Sequence, residues 1–357
     1  MKPDVDVLVV GGGPVGLAAA IEARMRGLSA TVVEPRDFPI DKACGEGLMP
    51  GAVAALARLG VTPDGHPLRG IGYRSAGRSV DHWFESAARG GGSAGAGPAG
   101  GDSGGLGVRR TVLQSTLAER ASELGVRFVE AKATALEQDA DGVAAAGIRA
   151  RYLLGADGLH STVRSLLGVE RPPARSRRFG LRQHCRIDPW SDLVEVHWTP
   201  AVEAYVTPVG DGVVGVALLG PQGLNYAGAL AAIPALASRL EGVTAVSTLR
   251  GAGPFRQRTR RRRIGRVLLA GDSSGYVDAI TGEGIRVGLA QAEAAIACIA
   301  ADDPAGYEQA WAQCTRDFRM LTTGLVGLAA SPLRPAIVPL AAALPGVFGA
   351  VVERLAR

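Results

Sequence analysis

The stretch VVGGGPVGLAAA sets Gly11, Gly13 and Gly16 in a GxGxxG spacing around Pro14, and Glu34 follows about twenty residues later. The first glycine allows a tight turn, the second a close backbone approach, and the third helix–strand packing. The helix that follows adds free N–H groups and a positive dipole. A pyrophosphate suits this cradle, and Glu34 could accept hydrogen bonds from both hydroxyls of a ribose. Further on, LLGADGLHSTVRSLLG ends an apolar run in Asp157-Gly158. That acid serves either a ligand or the cap of a helix beginning near Ser161. LLAGDSSGYVDAITGEGI places Asp272 straight after an apolar run, with Gly275, Gly282 and Gly284 close behind and Ile285 next. A carboxylate followed by three glycines makes backbone room for a ligand.

These residues need strands that stop and helices that start at the right places. DVDVLVV (4–10) reads as a buried parallel strand, GLAAAIEARMRG (16–27) as a helix closed by Gly27, and SATVVE (29–34) as a second strand. The βαβ unit implies a doubly wound α/β sheet with a right-handed crossover. LMPGAVAALARLGV (48–61) and RRTVLQSTLAERASELG (109–125) have helical character, the latter with Leu113, Leu117 and Leu124 inward. LVEVHW, EAYVTPV and GVVGVALL between 179 and 219 alternate as strands of a second, mostly antiparallel sheet. RVLLAGD (266–272) returns to the buried-strand pattern before a long helix at 285–300, so the first domain is interrupted and resumed.

The chain has 357 residues, enough for two joined domains with a large core. Its net charge of +5 is concentrated in RPPARSRR (171–178) and RQRTRRRR (256–263). Without aromatic interleaving or a nucleic-acid motif, these clusters read as solvated faces or as attractors of an anionic cofactor or membrane, and no nucleic-acid partner is expected. The four cysteines have no metal or disulfide spacing and fit a reducing cytoplasm; no metal site is expected. The N-terminal apolar run breaks into GGG without a small-residue cleavage site, so no signal peptide is expected. The uncharged stretch 335–352 carries three prolines and reads as buried or interfacial helices, which leaves peripheral membrane contact open.

In order and spacing, GxGxxG with Glu34, GADGxxSxVR and LLAGD…GEGI resemble the FAD-dependent aromatic hydroxylases, the group A flavoprotein monooxygenases. With DKACGEGLMPGAVAALARLGV (41–61), they resemble more closely the geranylgeranyl reductase branch of that superfamily. The resemblance spans residues 4–300 and implies a glutathione-reductase-like FAD domain interleaved with a substrate sheet. It implies that Asp272 bonds the ribityl chain, that Gly282, Gly284 and Ile285 meet the flavin edge, and that Arg110 supports the phosphates. It also implies that Asp157 serves FAD and NAD(P)H, and that Cys44-Gly45 lies near the flavin as a reactive thiol or as small residues for close packing. The implied FAD domain is 1–80, 105–170 and 264–300. The remainder comprises a flexible Gly-rich insertion at 86–107, a substrate sheet at 171–263 and C-terminal helices at 301–357.

Glu195 and His197 alternate against Val194, Val196 and Trp198, and one of these faces is expected to line a substrate chamber. His197 and Tyr205 are the candidate proton acceptors, with His184 a further one. The expected activity is NAD(P)H-dependent and O₂-dependent oxygenation of a small apolar or aromatic substrate, polyketide and lipid included. Reduction of a C=C bond in an isoprenoid or quinone, or flavin binding without catalysis, are the alternatives. Nothing in the sequence assigns an oligomeric state.

Overall fold

A computed structural model describes residues 3–85, 104–172 and 177–357. Val5–Val10 forms the centre of the first sheet because its side chains are apolar on both faces, as a strand covered on both sides requires. It pairs in parallel with Ile148–Gly155 on one side and Ala30–Val33 on the other. Val267–Leu269 and Arg127–Val129 extend the parallel array outward. The helices Pro14–Met25, Arg110–Glu123 and Gly284–Ala300 pack their Leu17, Ile21, Leu113, Leu117, Leu289 and Ile296 into one core with the sheet. Leu117 is fully buried there, and truncating it to Ala would cost about 2–5 kcal/mol. This is the doubly wound domain that the first βαβ unit implied.

The second sheet is mixed but mostly antiparallel, also as expected. Val213–Pro221 pairs with Arg178–Arg186 and Glu203–Gly210, and Glu203–Gly210 with Leu193–Trp198. One boundary differs from the expected domain division. Gly70–Ser75 lies parallel to Leu193–Trp198, and Arg78–Trp83 returns beside it, so these strands complete the second sheet rather than the FAD domain. Ala76-Gly77 joins them with φ of 42° and 77°, the left-handed pair of a two-residue hairpin. Ala-Gly is a weaker signal for that turn than Asn-Gly, and the hairpin was not evident from sequence.

Of the Gly-rich segment, residues 86–103 lie outside the described residues. Gly105–Gly107 at its end is a strand between Gly47–Leu48 and His66–Leu68, not part of a loose insertion. A Cβ on Gly107 would stand 1.7 Å from Pro208 O, so glycine here permits close packing on the second sheet. At the C-terminus, Tyr307–Ala329, Ile337–Ala343 and Pro345–Ala356 cover the apolar face of the second sheet, where Phe348 and Val352 join Val194, Val196 and Trp198. Among the described residues no single helix is long and apolar enough to cross a membrane.

Candidate functional site

The ends of the four central parallel strands open on a cavity of about 580 Å³, bounded on its far side by the second sheet. Gly11, Gly13, Pro14 and Glu34 line it beyond Val5–Val10 and Ala30–Val33, and Asp157 and Asp272 beyond the other two strands. Cys44, Gly45 and Arg110 form another wall, and Gly282, Gly284 and Ile285 a third. Gly16 lies beneath the cavity: its Cβ would fall 1.9 Å from Gly11 O, so it packs the helix on the strand. Gly11 has φ of +114°, the turn expected of the first glycine.

Charge is distributed unevenly around this space. Glu34 is buried and accepts from the Gly12 N–H (2.9 Å) and from Arg36 Nε (2.7 Å). Arg110 begins its helix with Nη1 buried and without a hydrogen-bond partner among the described residues, and burial lowers its pKa. Burial likewise raises the Asp272 carboxyl, with Lys42, Arg110 and Arg164 pulling the other way. Lys42 shares the cavity, and burial followed by repulsion from Arg36 and Arg110 lowers its pKa. Asp157 lines the cavity, but its carboxylate is used locally. It accepts from Ser161 Oγ (2.5 Å) and the Val163 N–H (3.0 Å), so the capping reading describes its side chain.

Sequence reasoning missed the residues that brace this wall. Arg164 is buried and donates to Asp272 O, Ser273 O (both 3.3 Å) and Leu159 O (2.8 Å), which holds the Asp272 turn. Its signal was the final Arg of GADGxxSxVR. Glu46 accepts from the Arg110 N–H (2.8 Å) and meets His184 Nε2 (2.7 Å), while Arg182 pairs with Asp41 and contacts His184 Nδ1 (3.0 Å). This chain of buried polar groups ties the 41–47 loop to the second sheet. His184 is therefore committed to it. Burial raises the Cys44 pKa, which favours the close-packing reading over the activated thiol.

A second chamber of about 270 Å³ adjoins the first at Gly45, Gly47, Tyr205 and Gly282, which line both. Its walls are apolar: Met49, Ile71, Val194 and Val196 from the sheet side, Leu325, Leu340, Phe348 and Val352 from the C-terminal helices. The apolar face of Leu193–Trp198 is thus the one that looks inward. His197 lines neither cavity and instead meets Glu195 Oε2 (3.2 Å) on the opposite face, so it does not stand where a substrate proton acceptor must. Tyr205 stands between the chambers, but its hydroxyl donates to Ile280 O (2.5 Å) and burial drives its ionisation far up. It positions the 280 turn and is not a proton acceptor.

The first cavity fits an anionic dinucleotide. Among the described residues Arg110 Nη1 lacks a partner, a Cβ on Gly13 would meet only Arg110 Nη2 within 4 Å, and one on Gly45 or Gly282 would meet nothing within that distance. Residues 4–195 match the FAD binding domain family, and the chain belongs to that family. It is 30% identical over 309 residues to rifampicin monooxygenase of Streptomyces venezuelae, covering 80% of this chain and 62% of that protein. A shorter match, 54% over 61 residues, joins it to menaquinone reductase of Mycolicibacterium smegmatis, covering 17% of this chain and 15% of that protein. The chain thus spans less than two thirds of the length of these relatives. In fold it resembles p-nitrophenol 4-monooxygenase of Pseudomonas putida, with a TM-score of 0.80, 20% identity and coverage of 100% and 99%. Anhydrotetracycline hydroxylase of Streptomyces rimosus gives 0.69 at 25% identity, covering 99% of this chain and 75% of that one.

Proposed function

We propose that the protein is an FAD-dependent monooxygenase that uses NAD(P)H and O₂ to oxygenate an apolar aromatic, polyketide or lipid-like substrate. One observation carries this reading: an apolar chamber opens into the dinucleotide cavity beside Gly45, Gly47, Tyr205 and Gly282. Bound FAD would supply the redox chemistry, carrying electrons from NAD(P)H to O₂.

The chain's own residues hold and shield. Gly11, Gly13 and Pro14 with Arg110 would take the pyrophosphate, Glu34 the ribose, and Asp272 the chain between phosphate and ring. Gly282 and the helix start at Gly284 and Ile285 would offer backbone N–H groups to the ring edge, where they would stabilise negative charge. The apolar walls exclude water from the reacting end. Leu340, Leu344, Val347 and Val351 line the chamber and are also exposed outside, which suits entry of a lipidic substrate and peripheral contact with a membrane surface. Four free cysteines suit a cytoplasmic setting.

The test is oxygen uptake with NAD(P)H in an atmosphere of heavy oxygen, with aromatic and polyketide candidates. One labelled oxygen atom per product is the expected result. A product that gains two hydrogens, with no oxygen consumed on its account, would replace this reading with C=C reduction.

A further inference from the structure

We propose that Glu283 is the proton acceptor for the hydroxyl of a phenolic or enolic substrate held in the apolar chamber. This rests on the oxygenation reading, since an electron-rich ring is needed there. Glu283 is the last residue before the helix Gly284–Ala300, between two glycines that line the dinucleotide cavity, and is itself only 2% exposed. Among the described residues lining the chamber it is the one that bears a carboxyl, the other ionisable residues being Tyr73 and Tyr205. Burial raises both tyrosines, and Tyr205 already donates to Ile280. Glu283 Oε2 accepts from Arg286 Nε (2.7 Å), and Oε1 accepts from no described residue.

Arg286 also borders a polar cavity of about 460 Å³ that shares no lining residue with the chamber. Asp317 faces that cavity from Tyr307–Ala329, Glu353 and Arg354 from Pro345–Ala356, Arg357 from just beyond that helix, and Glu85 from the segment after Arg78–Trp83. Burial raises Glu283 to about 7 against the pull of Arg286, so acid and carboxylate coexist near neutral pH.

The step is a proton transfer. The substrate O–H bond breaks, its electron pair stays on the substrate oxygen, and the proton forms a carboxylic acid on Glu283. Solvent water then takes that proton and restores the carboxylate. The net change is one proton moved from substrate to solvent, with electron density left on the ring that is to be oxygenated.

The experiment uses the FAD-loaded, oxidised protein without NAD(P)H, and para-nitrophenol as the probe. Phenolate absorbance and the protonated-carboxyl infrared band are followed against pH. On addition of the probe at fixed pH near 7, wild type should gain the carboxyl band as phenolate absorbance appears. Glu283→Gln should lose the band and raise the ionisation midpoint by about one pH unit, a tenfold change. Arg286→Met keeps the carboxyl and should hold the band to higher pH, which preserves the test if Glu283→Gln fails to fold. No uptake of the probe, an unchanged midpoint in Glu283→Gln, or a band insensitive to Arg286→Met would overturn the inference. Labelled oxygen in the product alongside any of these leaves the oxygenation reading standing, whereas double-bond reduction with a titrating Glu283 removes that reading alone.

Discussion

Arg110 is aimed at Gly13: a Cβ on the glycine would lie 3.6 Å from Nη2, and Nη1 is buried with no partner among the described residues. A buried, unpartnered cation beside a glycine turn is stable only if an anion completes it. Arg110→Met should therefore weaken FAD binding about 10–100-fold, the loss of one or two charge-assisted hydrogen bonds. Quenching of FAD fluorescence on titration with apoprotein measures it. An unchanged dissociation constant would move the phosphates elsewhere.

Gly16 and Gly282 make a matched pair. Ala at 16 would place its methyl 1.9 Å from Gly11 O, whereas at 282 it would touch nothing and bear only a φ of +72°. Gly282→Ala should cost about 1–2 kcal/mol. Gly16→Ala should cost more than that or prevent folding, because helix and strand must separate. Urea unfolding of the two variants side by side decides.

Asp272→Ala should retain FAD about tenfold less well, since one charge-assisted hydrogen bond is lost and Lys42 and Arg110 lose a counter-charge. Asp272→Asn keeps an acceptor and should fall between. The flavin absorbance left after gel filtration gives the answer, and an alanine variant that stays fully yellow would remove Asp272 from the site.

Glu195 links stability to pH. Burial pushes its carboxyl up, but hydrogen bonds from His197 and Trp190 and the charge of Arg74 prevail and hold it at about 2, below the ordinary 4.5. Its native pKa is depressed, so its contribution is present above pH 4.5 and is lost as pH falls toward about 2. Glu195→Gln should lower the denaturation midpoint at neutral pH, and the gap to wild type should close across that window. A gap independent of pH would contradict the linkage.

Ala341 is half-buried on the helical wall of the chamber. Ala341→Trp should fill part of the 270 Å³ and reduce kcat/KM for bulky substrates about tenfold, corresponding to ~1.4 kcal/mol, while FAD affinity stays unchanged. Equal turnover of bulky and small substrates by this variant would place the substrate elsewhere.

The dinucleotide site was legible because its requirements are local. A left-handed Gly11, a clash-limited Gly16 and a carboxylate at a strand end are each demanded by a few neighbouring atoms, and all thirteen expected cofactor residues fall in or directly beneath one cavity. Which face of the second sheet would meet a substrate was not legible. Alternation in LVEVHW separates Glu195 and His197 from Val194 and Val196, but a strand's two faces are equivalent until something covers one of them.

The covering element is a set of C-terminal helices more than a hundred residues away in sequence, and it seals the valine face. The same holds for Glu46 and His184, brought to 2.7 Å across 138 positions, and for Glu283, which shares an apolar chamber with residues of those helices. Turn geometry, helix starts and the strands' apolar periodicity are short-range and were determined by the residue order. Which face is inside, which charge is left without a partner and where the two cavities meet depend on long-range packing, and only the tertiary structure decided them.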